Sequence, residues 1–283
     1  MASITVTTEP DSQPPVNRLT LHASDGCIFT SLTVTRIQDG SQTLIRRQPT
    51  LGTSDALSYD YEPRYGVAAS YHISGSEKQA DTGASTDVNM SSDLVTLTPD
   101  SGWLIHPGNP AKSMPLPLGR LTGLTGMGRG MNATRHDVLG ATLPVYTITG
   151  PRFGLQFTLE LRTRTLDEES MLWALLDDQI PILINWLDTD AQRLNMKPMY
   201  LQVGDVQEER FAQMLYPARF ANTPAERRDW KLPCVQVQSP AISQQAVGWT
   251  YADLFAEQPT YLDVQATYAT YADLQAHNKK DGS

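Results

Sequence analysis

With 283 residues, 40% of them apolar, the chain is long enough for two ordinary cores and needs no staple to fold. A formal charge of −9 and a pI near 5.0, with no basic cluster longer than Arg227-Arg228 or Lys279-Lys280, exclude a nucleic-acid footprint. No apolar run approaches the ~20 residues that span a bilayer, so no membrane segment is expected. Cys27 and Cys234 stand far apart in dissimilar contexts, which argues against a disulfide. Met1 to Val16 is rich in Thr, Ser, Gln and Pro and lacks the apolar centre of a signal peptide, so synthesis of a soluble protein in a cytoplasm is expected.

The first hundred residues read as all-β. Leu19 to Leu21, Ile28 to Val34, Thr43 to Ile45, Val67 to Ile73 and Leu94 to Thr98 are short strand-like runs separated by turn residues, as in a small β-sandwich over residues 1–98. Asp39-Gly40 is the best hairpin signal, because Gly accepts the positive φ of a tight turn. Asp60-Tyr61-Glu62-Pro63, followed by Gly66, reads as a corner leading into a central strand.

Residues 99–117 carry Pro99, Pro107, Pro110, Pro115 and Pro117 and read as an extended connector that lies along one of the domains, since Trp103, Leu104 and Ile105 are too apolar for a free linker. The second domain is expected over 118–245. It opens on Gly119, Arg120, Gly123, Gly126, Gly128, Arg129 and Gly130, which could cradle a phosphate through clustered N–H groups. No Gly-Lys-Ser/Thr follows, so a mobile loop that orders against a neighbouring subunit is the better reading.

Arg152 to Trp186 is the most legible stretch. Phe153, Leu155, Phe157, Leu159 and Leu161 alternate with polar partners as in a half-buried strand. Thr165 and Glu168 form a capping box, with the Glu168 carboxylate expected to return to the Thr165 N–H. Leu172, Leu175 and Leu176, with Trp173 beside them, then make a helical stripe, and Pro181 precedes a short buried strand at Ile182, Leu183 and Ile184. Met199 to Val203, Phe211 to Tyr216 and Lys231 to Val237 read as further strands, with Glu208 and Glu209 between the first two and a polar turn at Pro224 to Asp229. The fold class is therefore mainly β with one helix laid on an antiparallel sheet.

In residues 246–283, Thr250-Tyr251-Ala252-Asp253-Leu254, Thr260-Tyr261-Leu262-Asp263-Val264 and Thr270-Tyr271-Ala272-Asp273-Leu274 repeat one motif at a spacing of ten. Each Thr caps and each Asp answers it, so the tail reads as an arm of short capped helices. Such helices need a surface to lie on, and Trp249, Tyr251, Leu254, Phe255, Tyr261, Val264, Tyr268, Tyr271 and Leu274 are its expected docking residues.

The tail repeats, the Asp60-Tyr61-Glu62-Pro63 corner, the Trp103-Leu104-Ile105-His106-Pro107 connector and the Arg162-Thr163-Arg164-Thr165 junction together resemble minor tail proteins of long-tailed bacteriophages, especially those infecting actinobacteria. The resemblance implies an immunoglobulin- or fibronectin-like sandwich followed by a domain similar to distal-tail and tail-tube folds. It further implies a structural subunit of the virion tail tip or baseplate that partners copies of itself and other tail-tip, tail-tube or tape-measure proteins. Hexamers and trimers both occur in such tips.

His22, His72, His106, His136 and His277 show no metal-ligand spacing, so no metal or cofactor is expected. His136-Asp137, Asp177-Asp178 and Asp188/Asp190 could be imagined as acid/base pairs, yet neighbours on a strand diverge and loop carboxylates are ordinary. No catalytic residue is assigned and no enzyme is expected. The competing reading is a host-surface module binding cell-wall polysaccharide through Tyr59, Tyr61, Tyr65 and Tyr71.

Overall fold

The computed structural model describes residues 2–116, 123–136, 145–210 and 228–240. The chain divides into two compact units, Met1–Pro240 and Ala241–Ser283, and the described residues all lie in the first. The strand expected at Phe211 to Tyr216 and the capped-helix arm from Trp249 to Leu274 lie outside the described residues.

The N-terminal half consists of two antiparallel sheets sharing one core. One contains β1 (Ser3–Glu9), β2 (Val16–His22) and β5 (Asp55–Asp60) in the order β1-β2-β5. The other contains β3 (Cys27–Gln38), β4 (Ser41–Leu44), β6 (Ala69–Gln79) and β7 (Ser85–Ser91) in the order β4-β3-β6-β7. Leu19, Leu21 and Ala56 from the first sheet meet Phe29, Val34, Tyr71, Ile73 and Val88 from the second. The hairpin at Asp39-Gly40 is present, both residues at positive φ (52° and 71°) as a two-residue turn requires. The expected strand at Leu94 to Thr98 is reduced to a single bridge between Ala69 and Val95.

A larger antiparallel sheet follows. It contains β8 (Trp103–Ile105), β9 (Met114–Pro115), β10 (Gly123–Arg129), β13 (Leu155–Thr163), β14 (Ile182–Asn185), β15 (Met199–Val203), β16 (Gln207–Arg210) and β17 (Arg228–Val237). Its order is β10-β13-β17-β15-β14-β8-β9, with β16 also on β17. Two expectations are corrected here. Trp103–Ile105 is not connector but a sheet strand, buried on both faces and paired with β14. Gly123–Arg129 is not a loop but an edge strand on β13, while Gly119 and Arg120 lie outside the described residues. The polar turn also ends earlier than expected, because Arg228 and Asp229 already pair with β13.

Helix α1 (Leu166–Leu176) lies on this sheet. Thr165 caps it, its hydroxyl accepting from Glu168 N at 3.2 Å. The reciprocal bond is shifted by one residue: the Glu168 carboxylate takes Arg164 N at 2.7 Å rather than Thr165 N. Leu172 and Leu175 are fully buried, and Trp173 sits edge-on to Trp230 at 5.4 Å. Arg228, at the start of β17, is held between Glu169 of α1 (2.6 Å) and Glu208 of β16 (2.9 Å), tying helix to sheet. A second helix, α2 (Asp188–Leu194), was not expected, so the described residues carry two helices rather than one. Its first residue before the turn is Leu187, which offers no side-chain cap, and it ends at Asn195 in the left-handed region.

A third cluster joins the halves: Tyr65 and Leu97 from the N-terminal part pack with Trp103, Ile105 and Leu183 of the large sheet.

Candidate functional site

The corner Asp60-Tyr61-Glu62-Pro63 lies where the N-terminal sheets meet the large one. Asp60 is 2% exposed and accepts two bonds from Arg36 (2.8 and 2.7 Å) and one from the Tyr71 hydroxyl (3.0 Å), which itself accepts from Asn17 (2.8 Å). Two residues on, Glu62 takes Arg46 Nε at 2.7 Å, and the same guanidinium reaches Tyr200 Oη (3.1 Å) and Ser239 Oγ (3.0 Å). Pro63 O accepts from the buried Asn185 amide at 2.8 Å. Arg64 bridges Asp39 (2.8 Å) and Asp188 (3.3 Å). Gly66, at φ +72°, lies so near α2 that a Cβ there would stand 2.6 Å from Asp188 Cβ. A cleft of about 410 Å³ opens beside this network, lined in part by Arg36, Arg64, Lys197 and Tyr200. Its cations are largely spent on neighbouring carboxylates, so its walls are a welded joint rather than a charged receptor.

The residues considered for chemistry are dispersed. His106 is buried, accepts from Asn109 N at Nδ1 (2.8 Å) and faces Asp178 through Nε2 (3.0 Å). Lys112 also meets Asp178, at 2.6 Å, and this bond, aided by His106, holds the Asp178 carboxyl below the usual carboxylate range. Asp188 is taken by Arg64 and Gln192, and Asp190 by Arg193. His136 is exposed on a strand far from these in sequence, and Asp137 and His277 lie outside the described residues. Among the described residues no cluster of His, Cys, Asp or Glu could hold a metal ion.

Of the four tyrosines expected to be exposed, Tyr65 and Tyr71 are fully buried. Tyr71 points inward on the alternation of β6 and its hydroxyl is needed by Asp60, while Tyr65 fills the joint. Tyr59 and Tyr61 do lie together, ring centroids 6.2 Å apart, with Arg47 over Tyr61.

The surface that stands out was not expected. Beyond β10 and β13 the ladder continues into β11 (Ala133–His136) and β12 (Val145–Ile148), a two-stranded ribbon joined to the sheet through Phe153 N to Gly130 O (3.1 Å) and Thr149 N to Asn132 O (3.1 Å). From Arg129 to His136 it extends about 23 Å at ~3.3 Å per residue. In β10, Gly126 and Met127 oppose Phe157 alone, a bulge that Gly126 permits at φ +65°. Met127, Met131, Tyr146, Ile148 and Phe153 are all about half exposed or more, Ile148 reaching 76%. The Val145-Tyr146-Thr147-Ile148-Thr149 run was the sequence signal for it, a β-branched and aromatic segment overshadowed by the glycines upstream.

The two thiols differ in environment. Burial pushes Cys234 up to about 12, and it is 2% exposed, whereas Cys27 is only half-buried at the start of β3. A thiol reagent should therefore label one cysteine per folded chain and two after denaturation; rapid labelling of both in the native protein would contradict this packing.

No protein-family model, no curated protein and no solved structure matches this chain.

Proposed function

We propose that this chain is a structural subunit of a bacteriophage tail tip, assembling with copies of itself into a ring that links the tail tube to the adsorption apparatus. In this reading the seven strands of the N-terminal half, divided three and four, form a fibronectin- or immunoglobulin-like sandwich. The large sheet with α1 is the distal-tail or tail-tube-like domain. The chain is non-enzymatic, is assembled in the bacterial host cytoplasm, and ends in the virion beside other tail-tip, tail-tube or tape-measure proteins.

The observation that carries the reading is the ribbon β11–β12 continuing from the edge strand β10, whose outer edges pair with no other strand among the described residues. A two-stranded ribbon is marginal in water by itself, and edge strands left unpaired with apolar side chains exposed are sites of association. A head-to-tail contact through such an edge closes into a ring if its rotation permits.

The full chain is the right material for the test, because a fragment beginning at residue 118 would lack β8 and β9 of the same sheet. Sedimentation and electron micrographs of the purified protein over a wide concentration range should show a closed oligomer of fixed number. A monomer at every concentration, and a single copy per particle, would overturn the proposal. The stacked Tyr59–Tyr61 pair favours the second reading, a wall-polysaccharide module. Under that reading, Tyr59→Ala with Tyr61→Ala abolishes polysaccharide retention and leaves assembly unchanged.

A further inference from the structure

We infer that the ribbon of one copy docks on helix α1 of a second copy of this chain. The inference rests on the assembly reading above and names the two surfaces that reading leaves open.

The ribbon's root carries Arg129 and Arg152, and the described residues 123–136 and 145–155 hold no Asp or Glu, the 137–144 segment between them holding one, Asp137. That is unusual in a chain with 31 acidic residues and a charge of −9, and it selects an acidic partner. Both arginines lie on the exposed surface. Their neighbours Met127, Met131, Tyr146 and Ile148 add apolar area that water does not favour.

Helix α1 has the complementary character. Leu166–Leu176 holds no Lys or Arg; Glu168, Glu169 and Asp178 are engaged by Arg164 N, Arg228 and Lys112, and exposed Asp167 in the first turn and Asp177 directly after the helix are the carboxylates it offers outward. Its outward side also shows large apolar groups, with Leu166 at 52%, Met171 at 42% and Trp173 at 39% exposure. Eight of the thirteen large hydrophobics that the described residues leave exposed therefore fall on these two features, Phe153 included. An apolar strip flanked by one sign of charge faces an apolar strip flanked by the other, and both belong to the same chain. The contact is heterologous, ribbon to helix, so each copy offers one of each and the association propagates around a ring.

The test uses full-length protein with Cys27→Ser as background. A chain carrying Ile148→Cys is mixed with a differently tagged chain carrying Met171→Cys, and oxidation should yield a mixed disulfide between the two tags. Separately, Arg129→Glu with Arg152→Glu should weaken self-association by roughly tenfold at low salt, and Asp167→Arg with Asp177→Arg in the partner should restore it. If wild-type protein forms rings but gives no mixed disulfide and ignores the charge reversal, the docking is wrong and the ring stands. Wild-type protein that never self-associates removes both. In a chain carrying both Ile148→Cys and Met171→Cys, disulfides formed only within single chains would show the ribbon folded onto its own helix and overturn the inference.

Discussion

Replacing Asp60 by alanine is expected to lower the free energy of unfolding by about 3–5 kcal/mol, because it strands a buried cation. The Arg36 side chain is 11% exposed and its two short bonds go to this carboxylate. Tyr71, fully buried, would lose its acceptor in the same step, and Asn17 behind it would be left donating to an idle hydroxyl. Denaturant unfolding of the full chain measures the loss. Changing Asp60→Leu and Arg36→Met together removes both charges and should recover much of it. A single Asp60→Ala loss below ~1 kcal/mol would place the pair among solvent-screened surface bridges and refute its role at the corner.

Trp230→Ala should cost a similar amount, about 3–5 kcal/mol, for a different reason. Trp230 is fully buried under α1, meets Trp173 edge-on, and donates from Nε1 to Thr163 Oγ1 at 2.9 Å. Its removal leaves a void between helix and sheet and an indole facing it with nothing to pack on. Trp230→Phe should restore most of the packing while leaving the Thr163 hydroxyl short of its donor, a residual loss of about 1 kcal/mol. Amide exchange provides the local readout: α1 should lose protection in Trp230→Ala, and the N-terminal sheets should not. Unchanged protection in α1 would mean that the helix is held by Arg228 and its two glutamates rather than by this contact.

What could be read in the sequence was what had a period or a cap. β13, α1 and β14 were legible because alternation, a Thr-x-x-Glu pair and Pro181 each act within a few residues. β7 was not, since its Ser, Thr, Asp and Asn residues offer only Val88 and Met90 to the core, and β1 was not, since its short Ile4 and Val6 alternation lies in a Thr-, Ser-, Gln- and Pro-rich start. Helix α2 was hidden because Leu187 gives no capping side chain and Asp188 and Asp190 look like loop carboxylates. Pro107 and Pro110 made the connector look extended, yet Pro110 starts a short 3-10 turn that returns the chain from β8 to β9. The ribbon was masked by glycines whose use is a bulge, not a loop. The resemblance to phage tail proteins and the arm repeats remain expectations of sequence, and the surface now offered for assembly came from exposure, which no local pattern encodes.

The cluster that joins the halves bears on how such a protein can be cut and recombined. Tyr65 and Leu97 are fully dry because Trp103, Ile105 and Leu183 cover them, and Arg46 and Arg64 each bond groups from both sides. The N-terminal half is therefore not a portable cassette. Transplanted to another chain at residue 98, it would carry an uncovered aromatic, two guanidinium groups that keep Glu62 and Asp39 but lose Tyr200 and Asp188, and Gly66 facing empty space. A crossover after Pro115 would bring Trp103 and Ile105 along but part β8 from β14 and leave Leu183 behind, so the seam runs through the large sheet itself.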